Sequence, residues 1–157
     1  MSIRIIILGD GAWGRALAQV AEQAGNKVSI WSRANPAISS GADAAILAVP
    51  AQAVRSVVRS VNNLPPVIIS AAKGIERETG LTMAEVVKAV LPRAEFYALS
   101  GPSFAADVSA GLPTAVTLAG PSINQASHWA KFLSLSHFRI YASDDVTGVE
   151  IGGAMKN

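Results

Sequence analysis

Short β-branched runs recur along the chain, each bounded by Gly, Pro or Ser: "IRIIIL" at 3–8, "KVSIW" at 27–31, "AAILAV" at 44–49, "PVIISA" at 66–71, "EFYAL" at 95–99, "TAVTLA" at 114–119 and "FRIYA" at 138–142. Most are continuously apolar rather than alternating, the pattern of parallel strands covered on both faces. Between them the apolar positions switch to helical spacing, most clearly at 13–24, 51–61, 81–91 and 122–133. The last of these opens on "GPS", a helix-start signal. Strand and helix in alternation predict a doubly wound α/β fold with a mostly parallel sheet.

The first strand runs into "IIILGDGAWGRALA", which carries G-x-G-x-x-G as Gly9, Gly11 and Gly14. The pattern alone is weak, but here it closes a β-branched strand and opens a helix, the context that gives it meaning. Gly9 suits a tight turn, Gly11 lets a backbone approach a pyrophosphate, and Gly14 permits close helix–strand packing. The helix N-terminus then offers free N–H groups and a partial positive charge to the diphosphate. This makes the sheet Rossmann-type; Trp13 is either a core residue or, from its place in the loop, a wall beside the cofactor.

One interval departs from that plan. Between Arg33 and Ala44 stand only the ten residues "ANPAISSGAD", where a parallel crossover usually needs a dozen or more. An ordinary dinucleotide-binding half, with strand order 3-2-1, places a further helix and strand here. The sheet is therefore expected to lack one helix–strand unit after its second strand, which becomes the edge. That second strand ends in Ser32 and Arg33, where a site selective for NAD usually shows an acid for the ribose hydroxyls. Arginine there accommodates a 2′-phosphate, so NADP is favoured over NAD.

Composition narrows the class. Among 157 residues half are hydrophobic and 15% charged, which predicts an ordered domain rather than a disordered chain. The 13 basic and 11 acidic residues leave a net charge of +2, with no stripe or patch that would read as a nucleic-acid surface. The absence of cysteine excludes disulfides and thiol chemistry. No segment approaches the ~20 apolar residues of a membrane span, and the N-terminus lacks a signal-peptide pattern. The expected location is the cytoplasm.

Further candidates lie at strand ends. Val49 and Pro50 in "LAVPAQAV" fall at a strand's carboxyl end, facing the crevice where such sheets bind ligands. Lys73 in "ISAAKGIE" emerges just past a strand, where an ammonium can polarise a carbonyl or hold a phosphate. Ser103 in "LSGPSFAADV" is expected to cap the following helix or to hydrogen-bond a ligand. The motif lacks the second glycine of a nucleophile elbow, and no triad accompanies it. His128 and His137 have no metal-like spacing and read as structural; no metal is expected. Asp144 and Asp145 read as capping charge at a helix start. The final "GVEIGGAMKN" reads as the first turns of a helix.

Taken together, "GDGAWGRALA", "AAKGIE", "LSGPSFAADV", "GLPTAV" and "FRIYASDDVTGVEIGGAMKN" resemble, in order, the signatures of the soluble NAD(P)-dependent glycerol-3-phosphate dehydrogenases. The resemblance runs from Ile5 to Asn157, apart from the shortened interval, and points to the N-terminal cofactor-binding domain. It implies that residues 1–150 form that domain, while 151–157 start an all-helical substrate domain that is otherwise absent. It implies Lys156 as the catalytic acid–base, Asn157 beside the substrate, and Lys73 touching both nicotinamide cofactor and substrate. Gly101 and Ser103 match positions lining the glycerol-phosphate site, and Ala105 a cofactor contact. Ala12, Trp13, Ser32 and Arg33 match cofactor contacts too, although Ala12 replaces a more usual Ser or Thr.

The implied reaction is reversible reduction of dihydroxyacetone phosphate to sn-glycerol 3-phosphate with NAD(P)H, for glycerophospholipid precursors. The substrate is a small phosphorylated molecule, and neither nucleic acid nor membrane is an expected partner. Lys156 needs a lowered pKa to cycle near neutrality, and Lys73 is the neighbouring cation expected to push it that way. Without the family's helical domain, this chain alone is expected to turn over little or nothing. An alternative reading is a truncated dinucleotide-binding or regulatory module without turnover. The newly exposed edge strand also offers a route to a homodimer.

Overall fold

The computed structural model describes residues 1–36 and 41–156. In chain order the elements are β1 (Arg4–Leu8), α1 (Ala12–Gln23), β2 (Lys27–Trp31), β3 (Ala44–Leu47), a 3₁₀ turn (Ala51–Ala53) running into α2 (Val54–Ser60), β4 (Val67–Ser70), α3 (Met83–Val90), β5 (Glu95–Ser100), α4 (Ala105–Ser109), β6 (Thr114–Ala119), α5 (Ile123–Ala130), β7 (Phe138–Ser143) and α6 (Val146–Met155). Each of the seven β-branched runs forms a strand, and all join one sheet of order β2-β1-β3-β4-β5-β6-β7.

The shortened interval has the expected consequence. β1 pairs with β2 on one side and β3 on the other, Ile5 standing opposite both Val28 and Ala44. The described residues provide no strand outside β2, which is the sheet's edge. Residues 37–40 of the connection lie outside the described residues.

The sheet is mostly parallel, as expected: the strands run parallel from β2 through β5, while β5 and β6 pair antiparallel. β6 starts at the end of the sheet where β5 stopped and runs back, Ser100 standing opposite Thr117, and the connection between them holds only the five-residue α4. β7 then pairs parallel to β6, through the crossover that holds α5.

Alternate residues of the central strands feed two apolar layers. Ile5, Ile7, Ile46, Ile69 and Leu99 pack under α1 and α5, with Leu17, Val20, Ala126 and Phe138. Ile6, Leu8, Leu47 and Ile68 face α2 and α3, with Val54, Val57, Met83 and Val86. Burying each such aliphatic side chain contributes roughly 1.5–3 kcal/mol. Alanines at 16, 18 and 21 are buried and let α1 lie close to the sheet.

Helix starts follow local chemistry. Thr82 and Glu85 form a reciprocal capping box on α3, and the Ser122 hydroxyl accepts from Gln125 N at 3.2 Å to cap α5. Asp145 caps α6, accepting from Gly148 N at 2.8 Å, as its place in the sequence predicts. His128 packs edge-on against Trp129 and Phe132, a structural role. Among the described residues no helix is long and apolar enough to cross a membrane.

Candidate functional site

The glycine turn sits at the carboxyl end of β1. Gly9 adopts φ +130°, and a Cβ there would lie 2.5 Å from Ala48 O. A Cβ on Gly14 would lie 2.0 Å from Gly9 O, so α1 can approach the turn only with glycine at this position. Gly11 differs: nothing stands within 4 Å of a Cβ built on it. Its space opens into a cavity of about 430 Å³ that Ala12, Trp13, Ala48, Val49, Pro50, Lys73, Ser103, Ala105 and Lys156 help to line. The indole Nε1 of Trp13 is buried with no hydrogen-bond partner among the described residues.

Lys73 enters the cavity from the loop after β4. Its Nζ donates to Gly101 O at 2.9 Å and to Ser103 Oγ at 3.4 Å, and lies 5.7 Å from the centroid of the Trp13 ring. Gly101 lets its own segment lie close against β6, because a Cβ there would lie 2.9 Å from Val116 Cα. Lys156 arrives from the end of α6. Its Nζ donates to Ser103 O at 3.1 Å and stands 4.1 Å from the Phe104 ring centroid. Gly153 sets α6 close to β5: a Cβ would lie 2.5 Å from Ser100 Oγ.

Electrostatics separates the two cations. The Lys73 pKa lies below the ordinary lysine value, first through burial and then through the Lys156 charge. The neighbouring charge expected to act between the two lysines is felt at Lys73, the more buried of the pair. Ser103 is also not the helix cap it was expected to be as one alternative. Phe104 occupies that position on α4 without a side-chain cap, while the Ser103 hydroxyl turns to Lys73.

The structure thus brings Gly11, Ala12, Trp13, Lys73, Ser103, Ala105 and Lys156 around one cavity, with the Gly101 carbonyl bonded to Lys73 beside it. Ser32 and Arg33 stand apart, beyond the end of β2. The Ser32 hydroxyl accepts from Asn35 N at 3.1 Å, and Arg33 is exposed. Asn157 lies outside the described residues. Sequence reasoning missed Phe104, whose ring lies under the Lys156 ammonium. It also missed the pairing of Asp10 with Arg15, Nε to Oδ1 at 2.8 Å, which offsets a carboxylate within the glycine turn.

A strand–glycine turn–helix at the carboxyl edge of a doubly wound sheet, opening on a cavity with two lysines, defines a dinucleotide-binding α/β domain of the Rossmann class. The chain belongs to the NAD-dependent glycerol-3-phosphate dehydrogenase N-terminus family, whose model matches residues 4–40 and 36–126. The two matched pieces meet at 36–40, the place where the sheet lacks a helix–strand unit. A glycerol-3-phosphate dehydrogenase [NAD(P)+] of Brucella ovis is 41% identical over 191 residues, covering all of this chain and 59% of the relative. Its counterpart in Chelativorans sp. is also 41% identical, covering 98% of this chain and 57% of the relative. The chain therefore spans less than two thirds of these relatives. Among solved structures, glycerol-3-phosphate dehydrogenase from Coxiella burnetii superposes with a TM-score of 0.81 at 26% identity, over 97% of this chain and 57% of that one. The yeast Saccharomyces cerevisiae enzyme, at 17% identity over 99% of this chain and 60% of that one, gives a TM-score of 0.84 and shares the fold.

Proposed function

We propose that this chain is the cofactor-binding part of an oxidoreductase that interconverts dihydroxyacetone phosphate and sn-glycerol 3-phosphate with NAD(P)H. The observation that supports it most is the meeting of Lys73, Ser103 and Lys156 at one cavity with the glycine turn. The residues present fit a dinucleotide. Gly11 leaves open space for a pyrophosphate, the first turn of α1 leaves backbone donors free, and Trp13 lines the cavity wall.

Gly9, Gly11, Ala12, Trp13, Gly14 and Ala105 hold the cofactor, and Ser32 and Arg33 receive its adenosine end, favouring NADP. When bound, the nicotinamide supplies the hydride that reaches the ketone carbon. Lys156 holds the proton that passes from its Nζ to the carbonyl oxygen as negative charge develops there. Lys73, a fixed cation beside it, stabilises that developing charge. Gly101, Ser103 and Asn157 line the substrate's place. In this reading the helical substrate domain begins at 151–157, the location is the cytoplasm, the product feeds glycerophospholipid synthesis, and the open β2 edge offers pairing to a second copy. In this reading the cofactor-binding part binds the dinucleotide, and turnover needs the helical substrate domain as well.

The test is a fluorescence titration of the chain with NADPH and, separately, NADH. Saturable binding, tighter for NADPH, is expected. Binding of neither would overturn the assignment of the glycine turn as a cofactor cradle in this chain.

A further inference from the structure

Outside the cavity, the loop that carries Lys73 is tied to the start of α2 by a second group of side chains. Arg55 donates through Nε and Nη2 to the two carboxylate oxygens of Glu76, at 2.8 and 2.7 Å. Glu76 is buried at 7% exposure, and its second oxygen also accepts from the Thr79 hydroxyl. Gln52 grips the same loop by its backbone: its Nε2 donates to Ile75 O at 2.8 Å, and its Oε1 accepts from Arg77 N at 3.0 Å. Gly74 closes the fit, with φ +147° and a hypothetical Cβ only 2.8 Å from Ala51 Cβ.

We propose that Gln52, Arg55 and Glu76 form a clamp that positions Lys73. The strand β4 ends at Ser70, and α3 begins only at Met83. Without outside ties, the connecting loop has no ladder or helix to fix it, and a side chain on it is as loose as its backbone. The clamp supplies those ties at Ile75, Glu76 and Arg77, directly after the Lys73–Gly74 step. It places the backbone at 73–77 so that the ammonium reaches Gly101 O and Ser103 Oγ rather than solvent. A bidentate guanidinium–carboxylate pair suits this role, because its two parallel bonds fix orientation as well as distance. These are positioning residues: none of the three lines the cavity beside the glycine turn. The proposal rests on the reading that Lys73 serves that cavity.

Two variants of the chain test it by lysine side-chain NMR, with Lys73 assigned through Lys73→Arg. Gln52→Leu changes no charge and removes both backbone ties. The pair Arg55→Met, Glu76→Met removes the ion pair while leaving the net charge unchanged, so no simple Coulomb effect reaches Lys73. Both are expected to move the Lys73 titration midpoint up toward the ordinary lysine range, and to speed amide exchange at 72–77 by tenfold or more. If Lys73 keeps its midpoint and the loop its exchange rates in folded Gln52→Leu, the clamp is refuted, whether or not the double variant folds. NADPH titration of the unaltered chain separates the two claims. A moved Lys73 with no cofactor binding upholds the clamp and rejects the proposed function.

Discussion

Lys73 and Lys156 meet across the turn Gly101–Ser103, each ammonium donating to one of its backbone carbonyls, at 2.9 and 3.1 Å respectively. Two like charges are thereby held at one wall of the cavity, and the more buried one bears the consequence. Burial is the first cause of the lowered Lys73 pKa and the Lys156 charge the second. Lys156→Met should therefore raise the Lys73 midpoint only part of the way toward its ordinary value. Lysine NMR titration reads this directly, and an unchanged midpoint would show that the two charges do not interact.

The glycines of the turn separate folding from binding. Gly14→Ala forces a Cβ to 2.0 Å from Gly9 O, and overpacking of this kind costs about 1–3 kcal/mol. Gly11→Ala meets nothing within 4 Å and should leave the urea midpoint nearly unchanged. Its methyl instead fills the space a pyrophosphate would use, so NADPH affinity should fall by about tenfold or more, a loss of at least ~1.4 kcal/mol. Equal loss of stability in the two variants would contradict this division.

Arg33 is exposed beyond the edge strand, so Arg33→Gln should not alter the melting temperature. A charge-assisted bond to a 2′-phosphate contributes about 1.5–3 kcal/mol. NADPH binding should therefore weaken by roughly tenfold or more while NADH binding stays within about twofold. Parallel titrations check this, and equal losses for both cofactors would remove Arg33 from the 2′-phosphate.

Glu150 of α6 is buried at 8% exposure and accepts from Ala84 N, in the first turn of α3, at 2.9 Å. Burial raises its pKa, against the hydrogen bonds from α3 that lower it. A carboxyl whose folded pKa is raised contributes most below its unfolded value, and that contribution is lost as pH rises through the folded value. Glu150→Gln should flatten the decline in stability across the window that starts near 4.5 and extends upward. Glu150→Ala, which leaves the Ala84 N–H unpaired, should cost about 1–3 kcal/mol throughout. Urea melts at a series of pH values distinguish the two; identical profiles for the Glu150→Gln variant and the parent would exclude a titrating Glu150.

Much of the fold was legible in the sequence because its determinants are contiguous. A β-branched run makes a strand wherever both faces are covered, and all seven runs did so. Gly9, Gly11 and Gly14 announce a strand–turn–helix by their spacing, and Asp145 and Ser122 cap helices by accepting from the N–H three residues on. The ten residues between Arg33 and Ala44 already implied that β2 would be an edge. What tertiary structure alone decided depends on distant segments meeting. The reversal at β6 is a pairing between two strands, Ser100 opposite Thr117, that neither run shows on its own. Ser103 could cap a helix or serve a ligand by its sequence, and the arrival of Lys73 turned its hydroxyl away from the cap. The lowered pKa of Lys73 depends on the folded chain burying it and bringing Lys156 beside it. The grip of Gln52 and Arg55 on the loop after β4 has no local signature, because it joins groups more than twenty residues apart.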